Sequence, residues 1–166
     1  VPPLEELFAR HHAELYRYVA RFTGDPDLAE DVVQDVFVRL AERPPGHETQ
    51  LRGWLFRVAT RAAIDALRGS RRRLALLSGR PDRQPMGEPP LDPAAALERE
   101  ELRGRVRAAL QELAPRERAI LLMREEGFAH REIAAAVGTT TGSVGTMIAR
   151  ALEKLARRLE LDGEDR

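Results

Sequence analysis

The chain has 166 residues, of which 43% are hydrophobic, 33% charged and only 5% aromatic, with 27 basic and 27 acidic side chains and no cysteine. The lack of thiols excludes disulfide frameworks, thiolate metal sites and cysteine nucleophiles, and a core of Leu, Val, Ile and Ala favours helices over sheets. No apolar run approaches the ~20 residues of a membrane span and the start lacks a secretory-signal pattern, so a soluble, cytoplasmic protein is expected, Val1 in place of Met leaving room for a missing N-terminal piece.

Three segments of helical periodicity come first. Leu4, Leu7, Phe8, Leu15, Tyr18, Val19 and Phe22 form one apolar face, which Gly24-Asp25-Pro26 ends, with Asp27 as the expected N-cap of the next helix. That helix runs from Leu28 to about Glu42, burying Leu28, Val32, Val33, Val36, Phe37 and Leu40, and Pro44-Pro45-Gly46 stops it. The third starts near Leu51, buries Leu51, Trp54, Leu55, Val58, Ala59 and Ala62, and ends around Gly69-Ser70. Leu74 to Pro93 carries five prolines and two glycines, a composition that builds no packed core and reads as a flexible linker. Periodicity resumes through Leu97, Leu102, Val106, Leu110 and Leu113, breaks at Ala114, and restarts with Pro115 as a first helical residue until Gly127. The expected architecture is all-α: a helical domain over residues 1–73, a linker over 74–93 and a second small helical domain over 94–166.

His130 to Leu159 has the pattern of a helix-turn-helix. Ala134 lets two helices cross closely, and Gly138 supplies the left-handed conformation that a short turn needs. Val144, Met147, Ile148, Ala151, Leu152, Leu155 and Leu159 then bury one face of a longer second helix. Ser143, Thr146, Arg150 and Arg157 share the opposite face, an arrangement suited to a major groove and its phosphates. The same spacing also describes a plain helical hairpin in a bundle.

The zero net charge conceals segregation. Asp25 to Asp35 holds five acids and no base, whereas Arg52 to Arg73 holds seven arginines and one aspartate. On the second helix Val38 is centred among Asp31, Gln34 and Asp35, where it buries nothing within its own domain. It is either a contact for a basic protein partner or one stray exposed valine. On the third helix Arg57, Arg61 and Arg68 form a stripe continued by Arg71, Arg72 and Arg73, with Asp65 placed to pair with Arg61 or Arg68. The stripe suits a phosphate backbone; the helix dipole alone accounts for Arg71 to Arg73 but not for Arg57. His11-His12 with Glu14 is the nearest approach to a metal set, yet His11 lies on the first helix's buried stripe. No phosphate loop or nucleophile–base pair appears, so no metal, cofactor or enzymatic activity is expected.

With both halves read, the chain resembles a bacterial RNA polymerase sigma factor of the extracytoplasmic-function (ECF) group. Leu28 to Arg43 (LAEDVVQDVFVRLAER) is similar to sigma region 2.2, Leu51 to Arg73 (LRGWLFRVATRAAIDALRGSRRR) to regions 2.3 and 2.4, and Leu113 to Leu155 to region 4. The absence of the other sigma regions points to the ECF group. The resemblance implies a transcription initiation factor whose partners are core RNA polymerase (the beta-prime clamp and the beta flap), promoter DNA and an anti-sigma factor, without membrane insertion. It implies a polymerase-binding set of Asp31, Gln34, Asp35, Val38 and Arg39. The minus-ten set is His47 in the Pro44–Leu51 loop with Arg57, Arg61, Asp65, Arg68, Arg71 and Arg72. For the minus-thirty-five element it implies Arg131, Thr140, Thr141, Ser143, Thr146, Arg150, Lys154 and Arg157.

Some positions depart from the family pattern. Arg61 stands where the family often has Asn. Gly145, Met147 and Ala149 stand where Lys, Arg and His are frequent, and Ala129 replaces a Ser N-cap, forgoing roughly 0.5–2 kcal/mol. These departures imply a modest minus-thirty-five affinity or an unusual promoter. The competing expectations are a conventional helix-turn-helix regulator acting without stable polymerase association and a helical protein-interaction adaptor.

Overall fold

The computed structural model describes residues 2–47, 50–74 and 92–164, and the regular structure among them is entirely helical. Seven helices follow in chain order: α1 (Leu4–Thr23), α2 (Pro26–Glu42), α3 (Leu51–Leu74), α4 (Pro93–Glu112), α5 (Pro115–Glu125), α6 (His130–Val137) and α7 (Thr141–Glu164). The expected linker falls largely on 75–91, outside the described residues.

Local chemistry sets the helix boundaries. Gly24, at φ +68°, closes α1 in the left-handed conformation. The cap of α2 is Asp25, not Asp27: its Oδ1 accepts from the Asp27 and Leu28 amides at 3.0 and 3.2 Å. Pro26 therefore becomes the first helical residue, where its fixed φ and missing donor do no harm. Asp92 and Pro93 repeat this device at α4, so Pro93 opens a helix instead of ending the linker. At α6 the Ala129 side chain cannot cap, but Glu132 Oε2 accepts from the Ala129 amide at 2.9 Å, leaving half of a capping box. Gly138, at φ +70°, makes the turn into α7 as its position requires. α3 continues as helix to Leu74, past the expected stop at Gly69-Ser70.

Helices α1–α3 pack together, as do α4–α7, and the two bundles also pack on each other: α6 lies on α3, and α5 reaches α1 and α3. One cluster of buried apolar residues runs through both. On the first-bundle side of the seam Tyr18 donates to Thr60 at 2.7 Å, and Thr60 donates to the Phe56 carbonyl at 2.7 Å. Phe56 in turn meets Phe128, from the α5–α6 turn, with ring centroids 4.8 Å apart. Several residues of the expected apolar faces are exposed: Leu4 and Phe8 on α1, Leu97 and Leu102 on α4, and Leu152 on α7.

Arg118 of α5 is the largest fully buried side chain, 2% exposed. Its guanidinium donates to the carbonyls of Leu110, Gln111 and Leu113, which form the α4–α5 corner, and to Gln111 Oε1. It also donates to the Phe22 carbonyl at the end of α1, at 2.6 Å. Helix ends leave carbonyls without intrahelical donors, and one cation here serves two such ends. Arg118→Ala strands those buried acceptors and is expected to destabilise the chain by about 3 kcal/mol, read as a lowered urea midpoint.

Candidate nucleic-acid and partner interfaces

The acid-amide face of α2 points to solvent. Asp31, Gln34, Asp35 and Arg39 are exposed, and Val38 at their centre is 56% exposed. Asp35 pairs with Arg39 at 2.8 Å and Gln34 donates to Glu30 at 3.2 Å on the exposed surface around the valine. Val38 also borders a groove of about 620 Å³ between α1 and α2, lined by Leu4, Phe8, Phe37 and Ala41 among others. The periodicity of α1 could not reveal this, because it placed Leu4 and Phe8 on the buried side. Phe8 stacks on His12 (4.4 Å) and leans on Phe37 (4.8 Å), which fixes its ring at the groove wall.

The stripe on α3 is partly covered by the second bundle. Arg57 is half-buried, while Arg61 and Arg68 are exposed. Arg61 reaches not to Asp65 but to the Ala135 carbonyl near the end of α6, at 2.7 Å. Arg61, Asp65, Arg68 and Arg116 line a cleft of about 290 Å³ between the bundles. Arg71 and Arg72 stand on the backbone of the last turn of α3, but their side chains lie outside the described residues. His47 is exposed in the α2–α3 loop, its carbonyl accepting from Gln50 at 3.1 Å.

Arg52, which periodicity did not single out, is the most connected cation among the described side chains of α3. It donates twice to Glu14 Oε1 (2.8 and 2.5 Å) and once to the Glu126 carbonyl (3.2 Å), joining α3 to α1 and to the end of α5. Its guanidinium carbon lies 4.9 Å from the Phe56 ring centroid and 4.5 Å from that of Phe128. Arg21 adds ion pairs to Glu125 and Glu126 across the same seam.

On α7 the expected groove-reading face is open. Thr141, Thr146, Arg150 and Arg157 are exposed, as are Thr140 before the helix and Arg131 on α6. Thr140 and Ser143 share a hydroxyl hydrogen bond of 2.7 Å, and the Ser143 amide donates to the Thr140 carbonyl at 3.1 Å, which orients the first turn. Lys154 is drawn into an ion pair with Glu117 of α5, unlike its neighbours on that face. Behind this surface Val106, Leu110, Leu121, Leu122, Leu152 and Leu155 line a second apolar groove of about 350 Å³ between α4, α5 and α7. Among the described residues no group of three or more His, Asp or Glu side chains is arranged to hold a metal ion, and no helix is long and apolar enough to cross a membrane.

Residues 7–73 match the family model of Sigma-70 region 2, and residues 103–155 that of Sigma-70 region 4. The chain is 36% identical over 168 residues to the ECF RNA polymerase sigma factor SigG of Mycobacterium tuberculosis, covering 87% of this chain but 45% of that protein. It is 34% identical to the RNA polymerase sigma factor CarQ of Myxococcus xanthus, covering 93% of this chain and 88% of CarQ. In fold it is similar to the sigma factor RpoE of Bartonella quintana, solved in complex with the anti-sigma factor NepR. That match has a TM-score of 0.68 at 20% identity and covers 95% of this chain and 97% of the other.

The α1–α3 junction also carries a pH dependence. Partial burial holds the His11 imidazole below its ordinary value; Glu14 opposes the shift, and Arg10 and Arg52 add to it. The unfolded chain takes up this proton near pH 6.5 whereas the folded chain does so only lower. His11 therefore contributes fully above about pH 6.5 and progressively less as pH falls toward the folded value. His11→Gln is expected to flatten that part of the stability profile, measured as urea midpoints at about pH 7.5 and 5.5.

Proposed function

The chain belongs to the ECF sigma factors of bacterial RNA polymerase, and on that footing we propose that it is a dissociable, non-enzymatic initiation subunit that seats core polymerase on a promoter. The observation that carries the reading is the exposed Val38 ringed by Asp31, Gln34 and Asp35. An apolar centre with an acidic rim fits a protein partner bringing basic groups, here the beta-prime clamp. His47 and the α3 stripe of Arg57, Arg61 and Arg68, continued in sequence by Arg71 and Arg72, then hold the opened minus-ten strand, through phosphate neutralisation and stacking.

The face of Ser143, Thr146 and Arg150 reads the minus-thirty-five duplex, with Arg131 and Arg157 on phosphates. The groove between α4, α5 and α7 takes the beta flap. An anti-sigma factor is the inferred regulator, by analogy with the partner of RpoE. Because α6 covers part of α3, strand capture requires α6 to move away, and core polymerase supplies the competing contacts. Two weak modules gain avidity once the polymerase sets their spacing, so the isolated chain binds promoters poorly.

Reconstitution with core polymerase tests the proposal: promoter-dependent transcripts are expected, and their absence at low ionic strength overturns it. Asp35→Arg is expected to weaken core binding about tenfold or more with circular dichroism unchanged. Arg150→Ala should lower holoenzyme affinity for upstream duplex and reduce the log–log salt slope by about 0.9.

A further inference from the structure

Along the inner side of α3 the second bundle lays down three further groups beside the Glu126 carbonyl that accepts from Arg52. At Arg52 and Phe56 it places the Phe128 ring, 4.5 and 4.8 Å away. Over Gly53 it places the Glu132 carboxylate: a methyl added at Gly53 would stand 3.2 Å from Glu132 Oε1. At Arg61 it places the Ala135 carbonyl oxygen, 2.7 Å from the guanidinium. A flat ring, an anionic oxygen and a polar oxygen along one basic helix are also what a single nucleic-acid strand presents, as base and phosphates.

We propose that the Arg52–Phe56 slot binds one unpaired nucleobase of the opened promoter strand, and that Phe128 occupies it as an internal stand-in while the bundles are closed. The proposal rests on the reading of α3 as a promoter-strand surface and assigns the slot within it. Phe56 forms a rigid floor, because Tyr18 packs 4.9 Å from it on the core side and Thr60 is bonded to its carbonyl. Arg52 is aimed by its paired bonds to Glu14, a contact within the first bundle that persists when the second moves off. A ring and a guanidinium plane together stack any base, since every base has a π-face. Gly53 beside the slot lets a sugar-phosphate backbone approach, and Arg57 and Arg61 continue the charge along the helix. Phe128 is the ring that the second bundle sets against Phe56, next to the cationic stripe.

The test uses holoenzyme reconstituted from the full chain and core polymerase, with single-stranded non-template promoter oligonucleotides carrying 2-aminopurine at successive positions. One position is expected to be quenched by stacking, and Arg52→Lys, which keeps the charge toward Glu14 but not the planar surface, should restore about threefold brighter emission there. In the free chain Phe128→Ala should tighten binding of the same oligonucleotide about fivefold or more, while Phe128→Trp, which keeps the slot filled, should give no gain. Thermal melts establish that the variants fold; if Arg52→Lys does not, the Phe128 pair decides. Unchanged quenching in folded Arg52→Lys, or no gain from Phe128→Ala, overturns the slot while oligonucleotide binding by the holoenzyme preserves the wider reading of α3. Weaker core binding by Arg52→Lys with quenching intact would assign the slot to a polymerase side chain and also overturns it. Failure of wild-type holoenzyme to bind any oligonucleotide removes both readings.

Discussion

Carbonyl oxygens at the end of a helix must find donors, and in this chain the α1 terminus and the α4–α5 corner find the same one. Arg118 reaches Phe22 in the first bundle and Leu110, Gln111 and Leu113 in the second. Burying a guanidinium is costly unless its donors are matched, so its site is viable only where both bundles contribute acceptors. The position of α5 against α1 follows from that requirement. Once α5 is placed, its following turn brings Phe128 onto Phe56, and α6 comes to lie along α3.

The charge pattern has two different physical roles. The ion pair of Arg21 with Glu125 across the seam is exposed, and such a pair contributes little and is screened by salt. The buried rings and the Arg118 bonds do most of the holding. On the outer faces acids surround Val38 on α2, and Arg150 and Arg157 stand exposed on α7, whereas the cations of α3 are partly covered by the second bundle. A formal net charge of zero is thus compatible with partners of opposite sign on separate surfaces.

Much of the fold was legible because periodicity and turn chemistry report on local packing. Gly138 in the helix-turn-helix, Pro115 at the start of α5 and the exposed Val38 stand where spacing placed them. The Asp25 cap was missed because Asp25 and Asp27 are both competent, and only the Pro26 position within the helix decides between them. Of the candidate sites, the α7 face keeps its exposure, whereas Lys154 and Arg61 acquire partners from distant helices. Phe56, Phe128 and Arg118 were not recognised as central for a shared reason. Each matters through contacts between the bundles, and a one-helix pattern carries no information about the element that will lie against it.

Gly24 ties these halves together in another way. Its left-handed backbone suits glycine, and any added Cβ would stand 2.8 Å from the Gln111 side chain. Gln111 cannot simply step aside, since its Oε1 accepts from Arg118 at 2.9 Å. The corner after α1 and the end of α4 are therefore cut to one another's shape. Shuffling halves between homologous chains would break that fit unless both edges travelled together, so in evolution the two modules of this protein are constrained to change as a pair.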